Sequence, residues 1–158
     1  LPHLPHAANA ATACVLNGRL YVMGGFENNK LQVLEMSEEN VFTWTVKADL
    51  PSSRFDATSI AHEGKIWLIG GIGDLRLASR PVLIYDIDSD SWAAGPELPL
   101  PVDISAARAT TLNGEVHVTE TFPDTVIPGN WVFRGAAWVE VPDGSVAVLS
   151  ASAPILLG

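Results

Sequence analysis

Two stretches of this chain run four apolar residues directly into a pair of glycines. They are LYVMGG at residues 20–25 and IWLIGG at residues 66–71, so their first glycines, Gly24 and Gly70, are 46 residues apart. A fixed period of this length is typical of a chain built from stacked copies of one supersecondary unit, each too small to bury its apolar face alone. The repeat therefore constrains the architecture more than any other feature.

The repeat extends beyond the glycines. A two-residue turn precedes each apolar run, at Asn17-Gly18 and Glu63-Gly64, and a third stands at Asn113-Gly114. Tryptophans recur at spacings of 48 and 46 residues: Trp44, Trp92 and Trp138. Within each unit short apolar runs alternate with turns, and helical periodicity is nearly absent. Each unit is therefore predicted to form four β-strands, which makes the fold all-β.

These features resemble the kelch repeat, in which a hairpin and a double glycine are followed by a Tyr-Asp pair and a tryptophan. Here Tyr85-Asp86 is followed by Trp92, and the match is best over residues 50–98. The positions that carry the resemblance are Gly24, Gly25, Gly70, Gly71, Trp44, Trp92, Trp138 and Tyr85. In the third unit, Glu120 and Thr121 stand where the glycines should be. The resemblance implies that each unit is one four-stranded β-propeller blade, with the tryptophans packed between blades.

The resemblance makes the chain a single propeller segment. Its blades are expected at about residues 8–50, 51–100 and 101–141, with a partial fourth blade at 145–158. A propeller needs about four to eight blades to close its ring. Because three and a half blades leave two blade faces open, we expect the segment to belong to a larger propeller or to pair with another chain. A compact fold that departs from the propeller is the remaining alternative.

The charge balance excludes two classes of partner. The chain carries 18 acidic and 9 basic side chains, a net charge of −9. Nucleic acids and anionic membrane surfaces both require clustered Lys and Arg, so neither is expected as a partner. The apolar tail at 145–158 is shorter than the ~20 residues of a membrane-spanning helix, and no membrane insertion is expected. A single cysteine, Cys14, and the absence of a glycosylation sequon favour a reducing compartment.

The sequence predicts no metal or cofactor. The acidic run at residues 86–97 places carboxylates at several calcium-loop positions, but it has Ser91 in place of the required glycine and no flanking helices. His3 and His6 lie in a proline-broken segment, so no helix aligns them for shared zinc coordination. Cys14 lies in an apolar run and is expected to be a buried small hydrophobe.

Partner contacts are expected on one face of the blades. In kelch propellers the loops joining second to third strands and the links between blades lie on that face. Here the loops are residues 26–31, 72–80 and 121–130, and the links are residues 50–56 and 98–105. The residues predicted to contact a protein partner are Arg54, Arg76, Arg80, Asn28, Asn29, Asp74 and Phe122. The three arginines would be cationic points on an acidic molecule, able to pair with carboxylates.

Two functions follow from the resemblance. The first is a non-catalytic module that binds or scaffolds a protein partner, including another propeller portion or a second copy of the chain. The second is a portion of a propeller enzyme, of the sugar mutarotase or copper radical oxidase kind. The chain contains no nucleophile elbow, phosphate loop or dinucleotide fingerprint, which favours the first function.

Overall fold

The computed structural model describes residues 2–73, 81–99, 107–119 and 130–141. Within these ranges the chain forms fourteen β-strands and no helix. The strands are β1 (Thr12–Leu16), β2 (Arg19–Met23), β3 (Leu31–Met36), β4 (Phe42–Val46), β5 (Arg54–Phe55), β6 (Thr58–His62), β7 (Lys65–Ile69), β8 (Ile72–Gly73), β9 (Pro81–Asp86), β10 (Ser91–Glu97), β11 (Arg108–Leu112), β12 (Glu115–Thr119), β13 (Asn130–Arg134) and β14 (Ala137–Glu140).

Twelve of the strands form three sheets, each of four antiparallel strands. The first blade has the order β1-β2-β3-β4, the second blade β10-β9-β7-β6, and the third blade β11-β12-β13-β14. The two-residue strands β5 and β8 pair with each other. The prediction of an all-β fold made of four-stranded propeller blades is confirmed, and the described residues form a partial propeller of three blades.

The first hairpin of each blade is closed by a two-residue turn in the left-handed region. The φ angles are 51° and 71° at Asn17-Gly18, 48° and 71° at Glu63-Gly64, and 52° and 80° at Asn113-Gly114. Turns of this kind match the right-handed twist of the flanking strands, and they favour asparagine followed by glycine. The local sequence therefore sets the register of all three hairpins.

The apolar run of the second repeat becomes β7, which is buried on both faces. Ile66, Leu68 and Ile69 are fully buried and Trp67 is 6% exposed. Because successive strand residues point to opposite faces, Ile66 and Leu68 pack against the first blade while Trp67 and Ile69 pack against the third. A strand whose sheet lies between two other sheets must present apolar side chains on both faces, and this explains the four consecutive apolar residues.

Two apolar cores hold the blades together, one at each junction. The core between the first and second blades contains Leu16, Tyr21, Met23, Leu31, Val33, Leu50, Ile66, Leu68, Leu83 and Tyr85. The core between the second and third blades contains Ile60, Trp67, Ile69, Val82, Leu98, Ala107, Val116, Val118 and Trp131. Burying one such side chain stabilises the fold by about 1.5–3 kcal/mol. Most of the apolar burial is therefore shared between neighbouring blades.

The double glycines follow the second strands and lie against the backbone of the links between blades. Gly24 and Gly25 have φ of 68° and 119°. A Cβ at Gly24 would collide with the carbonyl oxygen of Arg54, and one at Gly25 would lie 2.8 Å from the carbonyl oxygen of Asn9. At the equivalent Gly71 a Cβ would lie 2.7 Å from the carbonyl oxygen of Phe55. Only glycine satisfies both the backbone angle and the close approach.

Trp92 and Trp138 make the same kind of hydrogen bond to the blade that precedes them. The indole Nε1 of Trp92 donates to the carbonyl oxygen of Ala48 at 2.9 Å, and that of Trp138 donates to Pro96 at 3.4 Å. Ala48 follows β4, the outer strand of the first blade, and Pro96 lies near the end of β10, the outer strand of the second. The 46-residue spacing of Trp92 and Trp138 therefore reflects a repeated contact with the preceding blade.

Asp90 reinforces the junction between the first and second blades. Its Oδ1 accepts hydrogen bonds from the backbone N–H of Ala48 at 2.9 Å and from the Tyr85 hydroxyl at 2.7 Å. The backbone hydrogen bond from Ala48, followed by the one from Tyr85, lowers the pKa of Asp90. Burial, followed by the bond to Asp90, raises the pKa of the Tyr85 hydroxyl. Asp90 and Trp92 together bind both backbone polar groups of Ala48.

Asp90→Ala is expected to destabilise the chain by about 1–3 kcal/mol, because it leaves a buried hydroxyl and a backbone N–H without their acceptor. The exposed Asp88→Ala, in the same turn, is expected to change the free energy of unfolding by less than about 0.5 kcal/mol. Urea unfolding at pH 7 measures both. Because the folded pKa of Asp90 is depressed, its contribution should be present at neutral pH and lost on acidification. Equal losses from the two variants would contradict this assignment.

Some predictions fall outside the described residues. These are the partial fourth blade at 145–158 and the substitution of the third double glycine by Glu120 and Thr121. The blade boundaries at about residues 8–50, 51–100 and 101–141 stay predictions, because the outer limits of the second and third units also fall partly outside the described ranges.

Candidate partner-binding face

The links between blades and the loop after β2 meet on one side of the described blades, which we call the loop face. The N–H of Gly25 donates to the carbonyl oxygen of Arg54, and that of Phe26 donates to Asn9, each at 2.8 Å. The N–H of Asp56 donates to the carbonyl oxygen of Ala10 at 3.1 Å. These backbone bonds join the link before the first blade, the loop after β2 and the link before the second blade into one surface.

Two phenylalanines form an aromatic contact on the loop face. The rings of Phe26 and Phe55 meet edge to face, with centroids 5.5 Å apart. Phe26 is 41% exposed and Phe55 is half-buried. Aromatic side chains of this kind supply large contact area in protein interfaces. The face therefore offers an apolar element beside its polar links.

The first strands of the three blades lie side by side. The hydroxyls of Thr12 and Ser59 are 2.9 Å apart, joining β1 to β6. The hydroxyl of Thr58 accepts a bond from the N–H of Ala109 at 3.4 Å, and the Thr111 hydroxyl donates to the carbonyl oxygen of Ala61 at 3.3 Å. These contacts place the starts of all three first strands next to one another.

A pocket of about 360 Å³ opens where these strands begin, and we call it the axial pocket. Its lining residues are Ala10, Ala11, Thr12, Asp56, Ala57, Thr58 and Arg108. Asp56 and Arg108 are exposed, and neither forms an ion pair with another described residue. The pocket therefore combines one cation, one anion and two hydroxyls on a mostly small-residue floor.

The prediction that Arg54 is a cationic point on the surface is wrong. Its side chain is 4% exposed, and its Nη1 donates to the carbonyl oxygen of Pro81 at 2.9 Å. Burial lowers the pKa of its guanidinium to about 10. Arg54 therefore ties the link before the second blade to the start of β9, where it is not available to a partner.

Asn28 and Asn29 lie on the loop face but use their side chains within the chain. Asn28 Nδ2 donates to the carbonyl oxygen of Ala7 at 2.6 Å, and its Oδ1 accepts the N–H of Lys30 at 2.8 Å. Asn29 Nδ2 donates to the carbonyl oxygen of Leu50 at 3.3 Å. Both asparagines thus fasten the loop after β2 to the links on either side of it.

The other predicted partner contacts lie outside the described residues: Asp74, Arg76, Arg80 and Phe122. Conversely, the sequence reasoning missed Arg108, Asp56 and Phe26. Arg108 stands alone at the start of a strand, with no motif to single it out. Asp56 and Phe26 fall within the predicted link and loop, so their segments were identified although the residues were not.

The described residues offer neither a metal site nor a membrane-spanning helix. The described ranges contain no group of three or more His, Cys, Asp or Glu side chains that could hold a metal ion. They also contain no helix with the length and apolarity needed to cross a bilayer.

Asp86, the first residue of the acidic run at residues 86–97, uses its carboxylate within the chain. It accepts hydrogen bonds from the backbone N–H groups of Asp88 at 3.0 Å and Ser89 at 3.1 Å, and it forms an ion pair with Lys65 at 2.7 Å.

Comparison with known proteins agrees with the repeat and the blades. A family profile for the Kelch motif matches residues 7–36. Kelch-like protein 35 of Mus musculus is 31% identical over 119 residues. This chain belongs to the kelch-repeat β-propeller family. The alignment covers 75% of the kelch chain but 20% of the mouse protein, so the chain spans about a fifth of the length of this relative.

Two other proteins are similar to this chain over most of its length. N-acetylneuraminate epimerase 1 of Escherichia coli O6:H1 is 26% identical over 134 residues, which is 82% of this kelch chain and 36% of the epimerase. A solved structure titled "Structure of YjhT" superposes with a TM-score of 0.65 at 25% identity, over 75% of this chain and 35% of that one. The overlap again covers roughly a third of each longer protein.

Proposed function

We propose that this kelch chain is a non-catalytic module that holds a protein partner on its loop face. The observation that carries the proposal is the axial pocket, where Arg108 presents an exposed cation beside two hydroxyls on an otherwise acidic molecule. Links and loops positioned by a rigid scaffold are where binding residues concentrate in proteins. Phe26, on the same face, supplies an aromatic contact.

The chemistry of the pocket favours a partner carboxylate. A guanidinium pairs with a carboxylate through two parallel hydrogen bonds, which gives geometric specificity as well as energy. Thr12 and Thr58 could donate to the same acidic group from the adjacent strands. The prediction that Arg76, Arg80, Asp74, Asn28, Asn29 and Phe122 contribute to binding stays a prediction.

The described lining of the pocket is chemically simple. Of its described lining residues, Asp56 and Arg108 are the two that ionise, and no histidine or cysteine is among them. The names of several relatives, including Kelch-like protein 35, refer to their repeats rather than to a reaction.

Arg108→Glu is expected to weaken partner binding about tenfold or more, because it reverses the charge at the pocket and repels a carboxylate. Arg19→Glu is the matched control, since Arg19 is exposed at the start of β2, the end of that strand away from the loop face, and pairs with Glu35 at 3.0 Å. The 158-residue chain and the two variants are each immobilised. The proteins that each one captures are then compared by quantitative mass spectrometry. The binary Kd of the strongest candidate is then measured.

A partner retained by the parent chain and Arg19→Glu but lost from Arg108→Glu supports the proposal. Equal retention by all three would show that the axial pocket is not the contact. Urea unfolding of Arg108→Glu is expected to match the parent within about 0.5 kcal/mol, because the side chain is exposed. This measurement separates lost binding from lost folding.

The second candidate is a portion of a propeller enzyme, favoured by the similarity to N-acetylneuraminate epimerase 1 and by a pocket able to hold a small acidic sugar. Its test is the rate at which the two anomers of N-acetylneuraminate interconvert, followed by proton NMR with and without the chain. Acceleration that Arg108→Glu abolishes would replace the first proposal. The copper oxidase version requires bound copper, which elemental analysis detects.

A further inference from the structure

The axial pocket is lined by two opposite charges that come from adjacent blades. Asp56 lies in the link shortly before β6 of the second blade, and Arg108 is the first residue of β11 in the third blade. Both side chains are exposed, and within the described ranges neither one forms an ion pair. Two opposite charges that share a pocket without pairing leave both of them available to a ligand.

A hydrogen bond within its own strand positions the guanidinium of Arg108. Its Nη1 donates to the carbonyl oxygen of Ala107, a buried residue, at 3.1 Å. A guanidinium has five N–H donors, so most of them remain free for a carboxylate of the ligand. Because the side chain is already held by the backbone, less conformational freedom is lost when it binds.

The backbone of Asp56 is also fixed, whereas its carboxylate is not used in the described part of the chain. The N–H of Asp56 donates to the carbonyl oxygen of Ala10 at 3.1 Å. Its side-chain oxygens accept no hydrogen bond from another described residue. A carboxylate carries only acceptors. The group that satisfies it must therefore be a donor, and a cation is the strongest choice.

The repeat shows that the fold does not require these two charges. Thr12, Thr58 and Arg108 are the first residues of β1, β6 and β11, so two blades begin the same strand with a neutral side chain. Ala10 stands before β1 as Asp56 stands before β6, and both residues have a φ of 54°. Since alanine takes up the same backbone conformation, the carboxylate of Asp56 is not there to support it.

The size of the axial pocket limits what it can hold. Its volume of about 360 Å³ lies near the lower end of the range for ligand pockets, about 300–1,000 Å³. A pair of side chains fits such a space, whereas a helix does not. The hydroxyl of Thr58 accepts the N–H of Ala109 at 3.4 Å, so its own hydrogen can be donated to a carboxylate that enters beside Arg108.

We infer that Asp56 determines the specificity of the axial pocket, by selecting a partner segment that carries a basic side chain beside the acidic one. The inference rests on the proposed function, in which Arg108 binds a carboxylate of a protein partner. A segment with an acidic side chain alone brings a like charge towards Asp56, which disfavours it. A segment that also carries a lysine or arginine satisfies both charges of the pocket.

The test uses capped peptides that contain one glutamate and one lysine, in both orders and with alanine spacers of increasing length. Reference peptides have glutamine in place of the lysine. Binding to the 158-residue chain is followed by titration of its amide NMR signals, including those of Asp56 and Arg108. At the best spacing we expect the lysine peptide to bind about fivefold more tightly than its reference, the upper range for an exposed ion pair.

Two variants show whether this preference comes from Asp56. Asp56→Asn keeps the shape of the side chain and tolerates a positive φ, and it should abolish the preference without weakening the reference peptides. Glu27→Gln is the matched control, because Glu27 is exposed, has a φ of 53° and lies in the loop after β2, outside the lining of the pocket. It should keep the preference, and both variants should unfold at the urea midpoint of the parent chain.

The outcomes separate this inference from the proposed function. A lysine preference that is absent at every spacing, or that survives Asp56→Asn, overturns the inference. If the reference peptides still bind and Arg108→Glu removes their binding, the proposed function stands without it. Peptides that bind equally to Arg108→Glu, or that shift no amide signal at millimolar concentration, contradict both. Free glycine that binds as tightly as the best peptide would assign the pocket to a small zwitterion and overturn the inference.

Discussion

Gly24→Ala is expected to destabilise this chain by about 2–3 kcal/mol. An alanine with a φ of 68° is strained by about 1–2 kcal/mol on its own. In addition, its Cβ would collide with the carbonyl oxygen of Arg54, which accepts the N–H of Gly25 at 2.8 Å. Relieving the collision moves that carbonyl and weakens the bond, at a cost of about 1 kcal/mol. The link before the second blade would then be displaced.

Gly18→Ala is the matched control for this substitution. Gly18 has nearly the same φ, 71°, but no atom lies within 4 Å of the position that its Cβ would take. The control therefore carries the backbone strain without the collision, and we expect a loss of about 1 kcal/mol. Urea unfolding of both variants measures the difference. Equal losses would mean that the close approach of Gly24 to the link is not what excludes a larger residue at this position.

The parts of the fold that depend on local chemistry were predictable from the sequence. Asn17-Gly18 and Asn113-Gly114 specify their hairpin turns by themselves, because few residue pairs adopt two successive positive φ angles. The apolar run at residues 66–69 lacks any alternation with polar residues, which is the pattern of a strand buried on both faces. The repeat then extended these local assignments to three blades.

Arg54 shows where sequence reasoning fails. An arginine in a polar link is usually solvated, so the local pattern predicted a surface cation. In the structure its side chain is covered and bound to the carbonyl oxygen of Pro81, which is 27 residues away in the sequence. A contact of this separation depends on how the whole blade closes. Arg108 was missed for the complementary reason, because its exposure beside a pocket arises from strands of three different blades.

Asp90 also illustrates this limit. Within the sequence it belongs to an acidic turn that fits a solvated loop or an imperfect calcium site. The structure uses its carboxylate to bind Ala48, 42 residues earlier, and Tyr85. The turn could be predicted from composition, whereas the role of this one carboxylate depended on the position of the neighbouring blade.

Trp67→Ala is expected to cost about 3–5 kcal/mol, the range for removing a buried tryptophan. Trp67 is 6% exposed, and its ring meets those of His62 and Phe133 edge to face, with centroids 5.1 Å from each. Since His62 belongs to the second blade and Phe133 to the third, the substitution leaves a cavity at the junction between them. Unfolding followed by far-ultraviolet circular dichroism in urea measures the loss.

Trp44→Ala removes a side chain of the same volume from the side of the first blade that points away from the second blade. There the indole is partly exposed and donates one hydrogen bond to Pro2. We expect it to cost no more than about 2 kcal/mol, because less apolar surface returns to water and no enclosed cavity forms. If stability resides in the junctions between blades, the two tryptophans must differ in this direction. Equal costs would instead place the stability within each four-stranded sheet, and neighbouring blades would then unfold independently.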